Sequence, residues 1–188
     1  MRAVRSRRDL RQFIRLQWQI YTSNAAWVPP LLVERQSFLD RRRNPFFRHS
    51  AAELFLAERD GEVVGRIAAI ENRRHLETYG DATGFFGLFE SIDDPAVAAA
   101  LVDAAARWVA ARGLVRLRGP MSFTINDECG LLLDAFDLSP VFLMSYNPPY
   151  YAALLEALGF RKAQDLFAFR MAVPVSVRVD GDTRANAL

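Results

Sequence analysis

The sequence predicts a single α/β domain, on three observations. Its 188 residues are 51% hydrophobic and 24% charged, which provides enough apolar surface for one core. Two strand-like runs flank Asp60-Gly61, a two-residue turn that favours an antiparallel hairpin. Further along, a strand-like run, a long helical pattern and another strand-like run follow in that order, which predicts a parallel crossover.

Two helices are predicted before the hairpin. Ser6 and Asp9 have the spacing of a capping box, and apolar residues then recur at helical intervals: Leu10, Phe13, Ile14, Trp18 and Tyr21. The prolines of Trp27-Val28-Pro29-Pro30 end this pattern. A second, short helix is expected over residues 31–40, before Arg41-Arg42-Arg43-Asn44-Pro45 interrupts it.

Three strands are expected in the middle of the chain. Residues 53–59 and 62–70 form the two arms of the hairpin, and residues 84–89 form a third strand that is almost entirely apolar. Gly84 and Gly87 in this third strand permit a close backbone approach or a bulge.

A long helix and a fourth strand complete the crossover. Asp93 or Asp94 is expected to cap the helix, Pro95 takes its first position and Gly113 ends it. Residues 114–117 then return as a strand.

The last predicted elements are a helix and a strand. Asn147-Pro148 opens the helix, which ends at Gly159-Phe160, and residues 165–173 are apolar enough to enter the sheet as a final strand. We therefore predict one domain over residues 1–174. Residues 175–188 lose the aromatic and large apolar content, so we expect a tail, either a loose terminus or the start of a segment cut short.

Composition argues against several classes of protein. Cys129 is the single cysteine, so no internal disulfide can form, and His49 and His75 are the only histidines, so no metal site is expected. No apolar run reaches the roughly 20 residues of a membrane span, and arginines interrupt the region where a leader would lie. We expect a cytoplasmic protein with no membrane segment and no membrane partner.

Charge is distributed unevenly, although the net charge is only +2. Residues 1–48 hold eleven arginines and three acidic residues, whereas residues 49–100 hold four arginines and ten acidic residues. This asymmetry fits an anionic partner at the N-terminal end or, more simply, solvated helix faces.

Several motifs in this order resemble the GNAT superfamily of N-acetyltransferases. The hairpin is similar to the family's central hairpin, and residues 154–160 are similar to its helix that ends at a Gly-Phe pair. Further motifs resemble a bacterial GNAT-like branch: Asn44-Pro45-Phe46-Phe47, residues 84–90, Asn126-Asp127-Glu128-Cys129-Gly130 and Tyr146-Asn147-Pro148-Pro149-Tyr150-Tyr151. The resemblance covers about residues 3–172.

The resemblance implies a mixed, mostly antiparallel sheet flanked by helices. It also implies an N-acyltransferase that moves an acyl group from acetyl-CoA, another acyl-CoA or a different activated carrier to a small-molecule amine. A nucleic-acid partner is not expected, except that aminoacyl-tRNA is a minor alternative donor that the basic N-terminal region could meet. Members of the branch often carry a second similar domain, so pairing with such a domain or with a second copy is expected.

The resemblance also assigns a donor site. It places the pantetheine arm against the splayed third strand, at Phe86, Gly87, Leu88, Phe89 and Glu90. Asn147 is also expected to contact the donor. Pyrophosphate is expected at the start of the next helix, where the family carries glycines and a basic or amide residue. Residues 90–96 contain neither glycine nor a basic residue. Glu90, Asp93 and Asp94 would instead repel a second anion there.

A general base is expected after the fourth strand, at the sheet end where ligands of open α/β folds commonly bind. Glu128, or Asp127 acting through a water, could accept a proton from an amine. The alternative is that Asn126 and Asp127 only shape a turn before Gly130.

The proton donor is harder to assign, because the family's tyrosine position is occupied by Leu155. Tyr150 and Tyr146 are the remaining candidates for protonating a departing thiolate. Tyr151 joins an apolar helix face and is expected in the core.

Two functions therefore remain open. One is the N-acyltransferase; the other is a non-catalytic GNAT-like module that binds a ligand or pairs with a second domain. The N-acyltransferase is the leading hypothesis, because the fold resemblance and the polar residues grouped at the expected sheet end support it. The altered phosphate segment and the missing tyrosine are the support for the non-catalytic module, which is the alternative. Cys129 has no histidine placed to activate it, so a buried, unreactive side chain is expected there.

Overall fold

The structure is a computed structural model that describes residues 1–169. Its elements are β1 (Arg2–Ala3), α1 (Arg7–Ile20), α2 (Leu32–Leu39), a 3-10 helix (Pro45–Arg48), β2 (Ala51–Arg59), β3 (Glu62–Glu71), α3 (Arg73–Tyr79), β4 (Thr83–Ser91), α4 (Pro95–Ala110), β5 (Arg116–Arg118) and α5 (Tyr150–Ala157). The strands form a sheet in the order β1-β2-β3-β4-β5, antiparallel except for the parallel pair β4 and β5. The predicted α/β class, with a mixed, mostly antiparallel sheet and flanking helices, is confirmed.

Local chemistry explains where these elements begin and turn. The Ser6 hydroxyl accepts the Asp9 N–H at 3.1 Å and the Asp9 carboxylate accepts the Ser6 N–H at 2.9 Å, so the predicted capping box is confirmed. The hairpin turns at Asp60-Gly61, and both residues have the positive φ that Asp-Gly turns favour. The predicted parallel crossover from β4 through α4 to β5 is also confirmed.

Three short elements were not predicted, namely β1, the 3-10 helix and α3, and one predicted strand is not formed in the described residues. β1 is two residues long, and α3 is a seven-residue helix capped by Asn72. Residues 165–169 carry no strand pairing, and the remainder of the predicted strand, residues 170–173, lies outside the described residues. The apolar content of 165–169 was misleading because a strand also needs a neighbour for its backbone groups, and residues 1–169 bring none alongside.

The sheet divides the apolar core into two layers. On one face α4 and α5 pack their apolar stripes, including Leu101 and Leu154. On the other face α1 and the 3-10 helix contribute Phe13 and Phe46. β4 lies between the two layers and all nine of its residues are buried. A polar side chain on β4 is therefore enclosed by protein and needs a partner.

β4 and β5 diverge after a short paired stretch. They pair at residues 83–85, and the Met121 N–H still donates to the Phe86 carbonyl oxygen at 2.8 Å. Further along β4, Leu88 has φ +48° where the pairing with β3 is irregular. The second half of β4 thus has no β5 partner, and a space opens beside it.

Gly87 allows the segment after β5 to cross β4 closely. A Cβ at this position would overlap the backbone carbonyl of Met121, which cannot rotate away as a side chain could. We expect Gly87→Ala to lower the free energy of unfolding by about 1–3 kcal/mol, because residues 121–122 must move off β4. Urea denaturation followed by circular dichroism measures this change. An unchanged midpoint would contradict the close crossing.

Candidate active site

A cavity of about 100 Å³ lies where β4 and β5 diverge. Leu88, Phe89 and Glu90 at the end of β4 form one wall. The remaining lining residues come from the helices, from β3 and from the loops before α2 and α5: Gln17, Trp27, Val28, Pro30, Arg66, Pro120, Ser122, Glu128, Gly130, Leu131, Pro140, Met144, Ser145, Tyr146, Asn147 and Tyr151. Polar and apolar groups line this cavity in similar proportion, and side chains such as Glu90, Glu128 and Asn147 converge in it, as polar groups do in small-molecule sites.

The cavity brings together six of the predicted site residues: Leu88, Phe89, Glu90, Glu128, Tyr146 and Asn147. The other four do not line it: Phe86, Gly87, Asp127 and Tyr150. The Asn147 side-chain oxygen accepts the Leu132 N–H at 2.7 Å, so this residue fixes the segment that forms one wall.

The Glu90 carboxylate is fully hydrogen-bonded. One oxygen accepts a hydrogen bond from the Gln17 amide at 2.7 Å and lies 3.4 Å from the Arg66 guanidinium. The other accepts hydrogen bonds from the Tyr21 hydroxyl at 2.9 Å and the Tyr151 hydroxyl at 2.7 Å. With four partners, two on each oxygen, the carboxylate has little capacity left to bind a ligand or take up a proton.

This cluster was largely missed by sequence reasoning. Glu90 was assigned to the donor-binding strand and counted with Asp93 and Asp94 as a charge that would repel an anion at the start of α4, but its charge is enclosed and paired with Arg66. Tyr151 is in the core as expected, yet its hydroxyl belongs to the cluster. One signal was available in the sequence: Arg66 lies within the apolar run of β3, and Glu90 lies at the end of the apolar β4. Opposite charges on neighbouring strands can pair with each other.

Burial is the main influence on the ionisation of the cluster. Burial raises the pKa of Glu90, although Arg66 and the three hydrogen-bond donors act in the opposite direction. Burial also lowers the pKa of Arg66. The pKa values of Tyr21 and Tyr151 are raised, first by burial and then by the negative charge of the nearby Glu90. The phenols therefore keep their protons, and the cluster ties α1, β3, β4 and α5 together.

The buried phenols should make the protein less stable at alkaline pH. A tyrosine ionises near pH 10 in an unfolded chain, whereas the raised pKa values of Tyr21 and Tyr151 keep both neutral when folded. Their stabilisation is complete below about pH 10 and is lost as pH rises towards the folded values. We expect the free energy of unfolding to fall by about 3 kcal/mol per pH unit above that point.

Urea denaturation over a pH range of about 9 to 11 measures this slope. Tyr21→Phe should remove about half of it, because one of the two groups no longer titrates. A flat profile in the unsubstituted protein would contradict the buried cluster.

Glu128 is the cavity carboxylate that remains open to a ligand. Its backbone oxygen accepts the Ser122 N–H at 2.8 Å, which fixes its position beside β4. One carboxylate oxygen lies 3.1 Å from an Arg35 guanidinium nitrogen, and within residues 1–169 no other group pairs with this carboxylate. Arg35 is itself held by Glu34 and by the ring of Phe38. The Glu128 carboxylate is thus held at the cavity by one ion pair, and its second oxygen has no partner within residues 1–169.

Asp127 lies in a turn instead of the cavity. Its carboxylate accepts hydrogen bonds from the Thr124 N–H at 3.1 Å and from the Thr124 hydroxyl at 2.7 Å, and the Asn126 N–H donates to the same hydroxyl. These are the contacts of the turn-shaping alternative, and they position Glu128 next in the chain.

Both candidate tyrosines donate to backbone oxygens. The Tyr150 hydroxyl donates to the Ser91 carbonyl oxygen at 2.8 Å, and burial, followed by Asp93 and Glu90, raises the pKa of Tyr150 to about 12. Tyr146 lines the cavity, and its hydroxyl lies 2.6 Å from the Phe136 carbonyl oxygen. Tyr146 is therefore the nearer of the two to a ligand in the cavity.

The N-terminus of α4 is closed by its own side chain. Asp94 caps it, as one of the two predicted alternatives, by accepting the N–H groups of Ala96 at 2.8 Å and Val97 at 3.3 Å. Arg59 lies 2.8 Å from the other oxygen and is the main cause of the lowered pKa of Asp94. A phosphate would have to displace this carboxylate to reach the helix end.

Neither a metal site nor a reactive thiol is apparent in the described chain. Within residues 1–169, no three His, Cys, Asp or Glu side chains are grouped to hold a metal ion. Cys129 is half-buried, and burial raises the pKa of its thiol, which disfavours the thiolate that nucleophilic chemistry needs. None of the helices over this part of the chain is both long and apolar enough to cross a membrane.

The chain is similar to two curated bacterial proteins. It is 40% identical over 171 residues to protein YghO of Escherichia coli, across 91% of this chain and 44% of that protein. It is 41% identical over 168 residues to a bacterial ceramide synthase of Caulobacter vibrioides, across 89% of this chain and 44% of that protein. The chain thus spans less than half the length of these curated relatives.

Comparison with solved structures finds a probable acetyltransferase, with a TM-score of 0.46 and 15% sequence identity. The match covers 93% of this chain and 99% of that one. No family model matches the chain.

Proposed function

We propose that this chain is a GNAT-like N-acyltransferase that moves an acyl group from acyl-CoA, acetyl-CoA included, or from another thioester carrier, to an amine. The main support is the position of Glu128, held by Arg35 in the cavity where β4 and β5 diverge. The resemblance places the carrier against β4 at this position. Leu88, Phe89 and Glu90 would form the carrier wall, and Asn147 would fix the opposite one.

The proposed reaction needs one proton acceptor. The amine nitrogen attacks the thioester carbonyl carbon, a C–N bond forms, the C–S bond breaks and the nitrogen loses a proton to the Glu128 carboxylate. That proton then passes to the departing thiolate, either from Glu128 or through Tyr146, so the products are an amide and a free thiol. Tyr150 is less well placed because it lies outside the cavity lining.

The acceptor is proposed to be an amine with a long apolar tail. The name of the Caulobacter relative, bacterial ceramide synthase, implies formation of an amide of a long-chain amino alcohol. In this chain the cavity carries Glu128 among apolar side chains that include Trp27, Leu131 and Met144. A carboxylate beside apolar side chains can accept a hydrogen bond from the neutral amine that attacks, while the apolar side chains contact its hydrocarbon chain.

Product analysis tests the proposal. The chain is incubated with acetyl-CoA or a long-chain acyl-CoA and either a long-chain amino alcohol or a polar diamine, and amide and free thiol are quantified. We expect thiol release that depends on the long-chain amine, with one amide formed per thiol. No amide from any pair at millimolar donor would overturn the CoA version.

One observation supports a second candidate, a non-catalytic GNAT-like module that binds a ligand or pairs with another domain. Asp94 occupies the helix end where the resemblance places pyrophosphate. This candidate expects a ligand to bind in the cavity without any acyl transfer. Detection of stoichiometric amide in the product analysis would exclude it.

A further inference from the structure

Two uncharged segments border the mouth of the cavity. Residues 16–33 and residues 138–155 contain no Asp, Glu, Lys or Arg, although 24% of the whole chain is charged. The first contributes Val28 to the cavity lining and the second contributes Met144. The two segments are far apart in sequence but meet at the same opening.

Large apolar side chains on these segments face solvent. Phe142 is 85% exposed and Leu31 is 72% exposed. Four further apolar side chains on these segments are also exposed: Val28, Val33, Val141 and Met144. We define the apolar rim as Val28, Leu31, Val33, Val141, Phe142 and Met144. So many exposed apolar side chains on two segments that both line one cavity indicate a surface that is covered during function.

A basic helix face leads into the apolar rim. Arg8, Arg11 and Arg15 are exposed on α1 at the three- and four-residue spacing that places them on one side of a helix. No carboxylate within residues 1–169 forms an ion pair with them. The last turn of α1, which ends at Ile20, already belongs to the first uncharged segment, residues 16–33, which carries Val28, Leu31 and Val33.

We infer that the apolar rim and the α1 arginines dock this chain on an anionic lipid surface, with the cavity mouth towards the acyl chains. Exposed apolar side chains and exposed arginines without ion pairs match both layers of such a surface, because the hydrocarbon receives the former and the headgroup phosphates attract the latter. A lipid surface also requires no fixed shape from the irregular segment around Phe142. This binding does not depend on acyl transfer.

Vesicle co-sedimentation tests the inference. The 188-residue chain is spun with vesicles of phosphatidylcholine alone or of equal parts phosphatidylcholine and phosphatidylglycerol. We expect binding to the anionic vesicles, weakening as salt rises because the arginine attraction is screened. Arg11→Gln with Arg15→Gln should weaken that binding by about 25-fold, at about fivefold for each arginine.

A matched pair of double variants separates the rim from general surface apolarity. Val141→Ser with Phe142→Ser should weaken vesicle binding at least about tenfold, because two side chains no longer enter hydrocarbon. Tyr79→Ser with Val115→Ser also removes two exposed apolar side chains, but Val115 lies near the Thr83 end of β4, away from the cavity. This control should bind as the unsubstituted chain does.

Three results would overturn the inference. The first is no binding to anionic vesicles at low salt, and the second is equal loss in the rim variant and the control. The third is that the unsubstituted chain does not bind vesicles but forms a concentration-dependent dimer, and that the rim variant does not form this dimer. That result would assign the rim to a second copy of the chain. Circular dichroism and urea midpoints of all variants check that folding is retained.

Discussion

Glu128→Gln is expected to lower the rate of amide formation by about a hundredfold or more, the usual contribution of a positioned general base. The amide has nearly the same shape and can still contact Arg35, but it cannot take the proton from the attacking nitrogen. The side chain is 30% exposed, so folding should be unaffected. The rate constant at saturating amine, measured from free thiol and amide together, gives the effect.

Glu34→Gln is the matched control, because Glu34 and Glu128 contact the same guanidinium. Glu34 lies 2.6 Å from the Arg35 Nε and is 41% exposed, and only Glu128 lines the cavity. The control should keep most of its activity. Equal losses in the two variants would show that Arg35, and not a base at Glu128, matters for the reaction.

Glu90→Leu is expected to lower the free energy of unfolding by about 3–5 kcal/mol, because it leaves the buried Arg66 without its counter-charge. It also removes the acceptor of the hydroxyl groups of Tyr21 and Tyr151. Urea denaturation measures the change. Conversely, a change below about 1 kcal/mol would show that the cluster is hydrated and carries little stability.

The double variant Arg66→Met with Glu90→Leu separates lost attraction from an unpaired charge. Replacing both members of a buried pair with apolar side chains often costs little, whereas removing one partner is costly. We expect the double variant to be more stable than Glu90→Leu alone. If instead the two substitutions add, Arg66 is stabilised mainly by its hydrogen bond to the Phe13 carbonyl oxygen.

Much of the fold could be predicted because its signals are local. The Asp60-Gly61 turn, the Ser6 box and Pro95 each act within a few residues, and each falls where expected. β1 and α3 are too short to leave a periodic pattern, and neither was found. Residues 165–169 show the opposite error. Their apolar pattern predicts a strand, but a strand forms only where another segment of the chain lies alongside to pair with it.

The candidate site was predictable only in part. Glu128 was identified because it follows the fourth predicted strand at the sheet end, and Tyr146 because Leu155 occupies the family's tyrosine position and leaves Tyr146 and Tyr150 as candidates. Gln17 donates to Glu90 across 73 residues of sequence, and no spacing rule connects such positions. Asp127 lies in the turn and Glu128 lines the cavity because the Thr124 hydroxyl donates its hydrogen bond to Asp127 and not to Glu128. Such contacts follow from packing and not from local pattern.

The most direct test of the proposed acyltransferase site is a crystal structure with a non-hydrolysable acyl-CoA analogue. We expect the pantetheine arm along Leu88 and Phe89, with the thioester mimic beside the Glu128 carboxylate in the space between β4 and β5. The pyrophosphate should lie away from the Asp94 cap of α4. An analogue bound elsewhere, or absent at millimolar concentration, would contradict the proposed site.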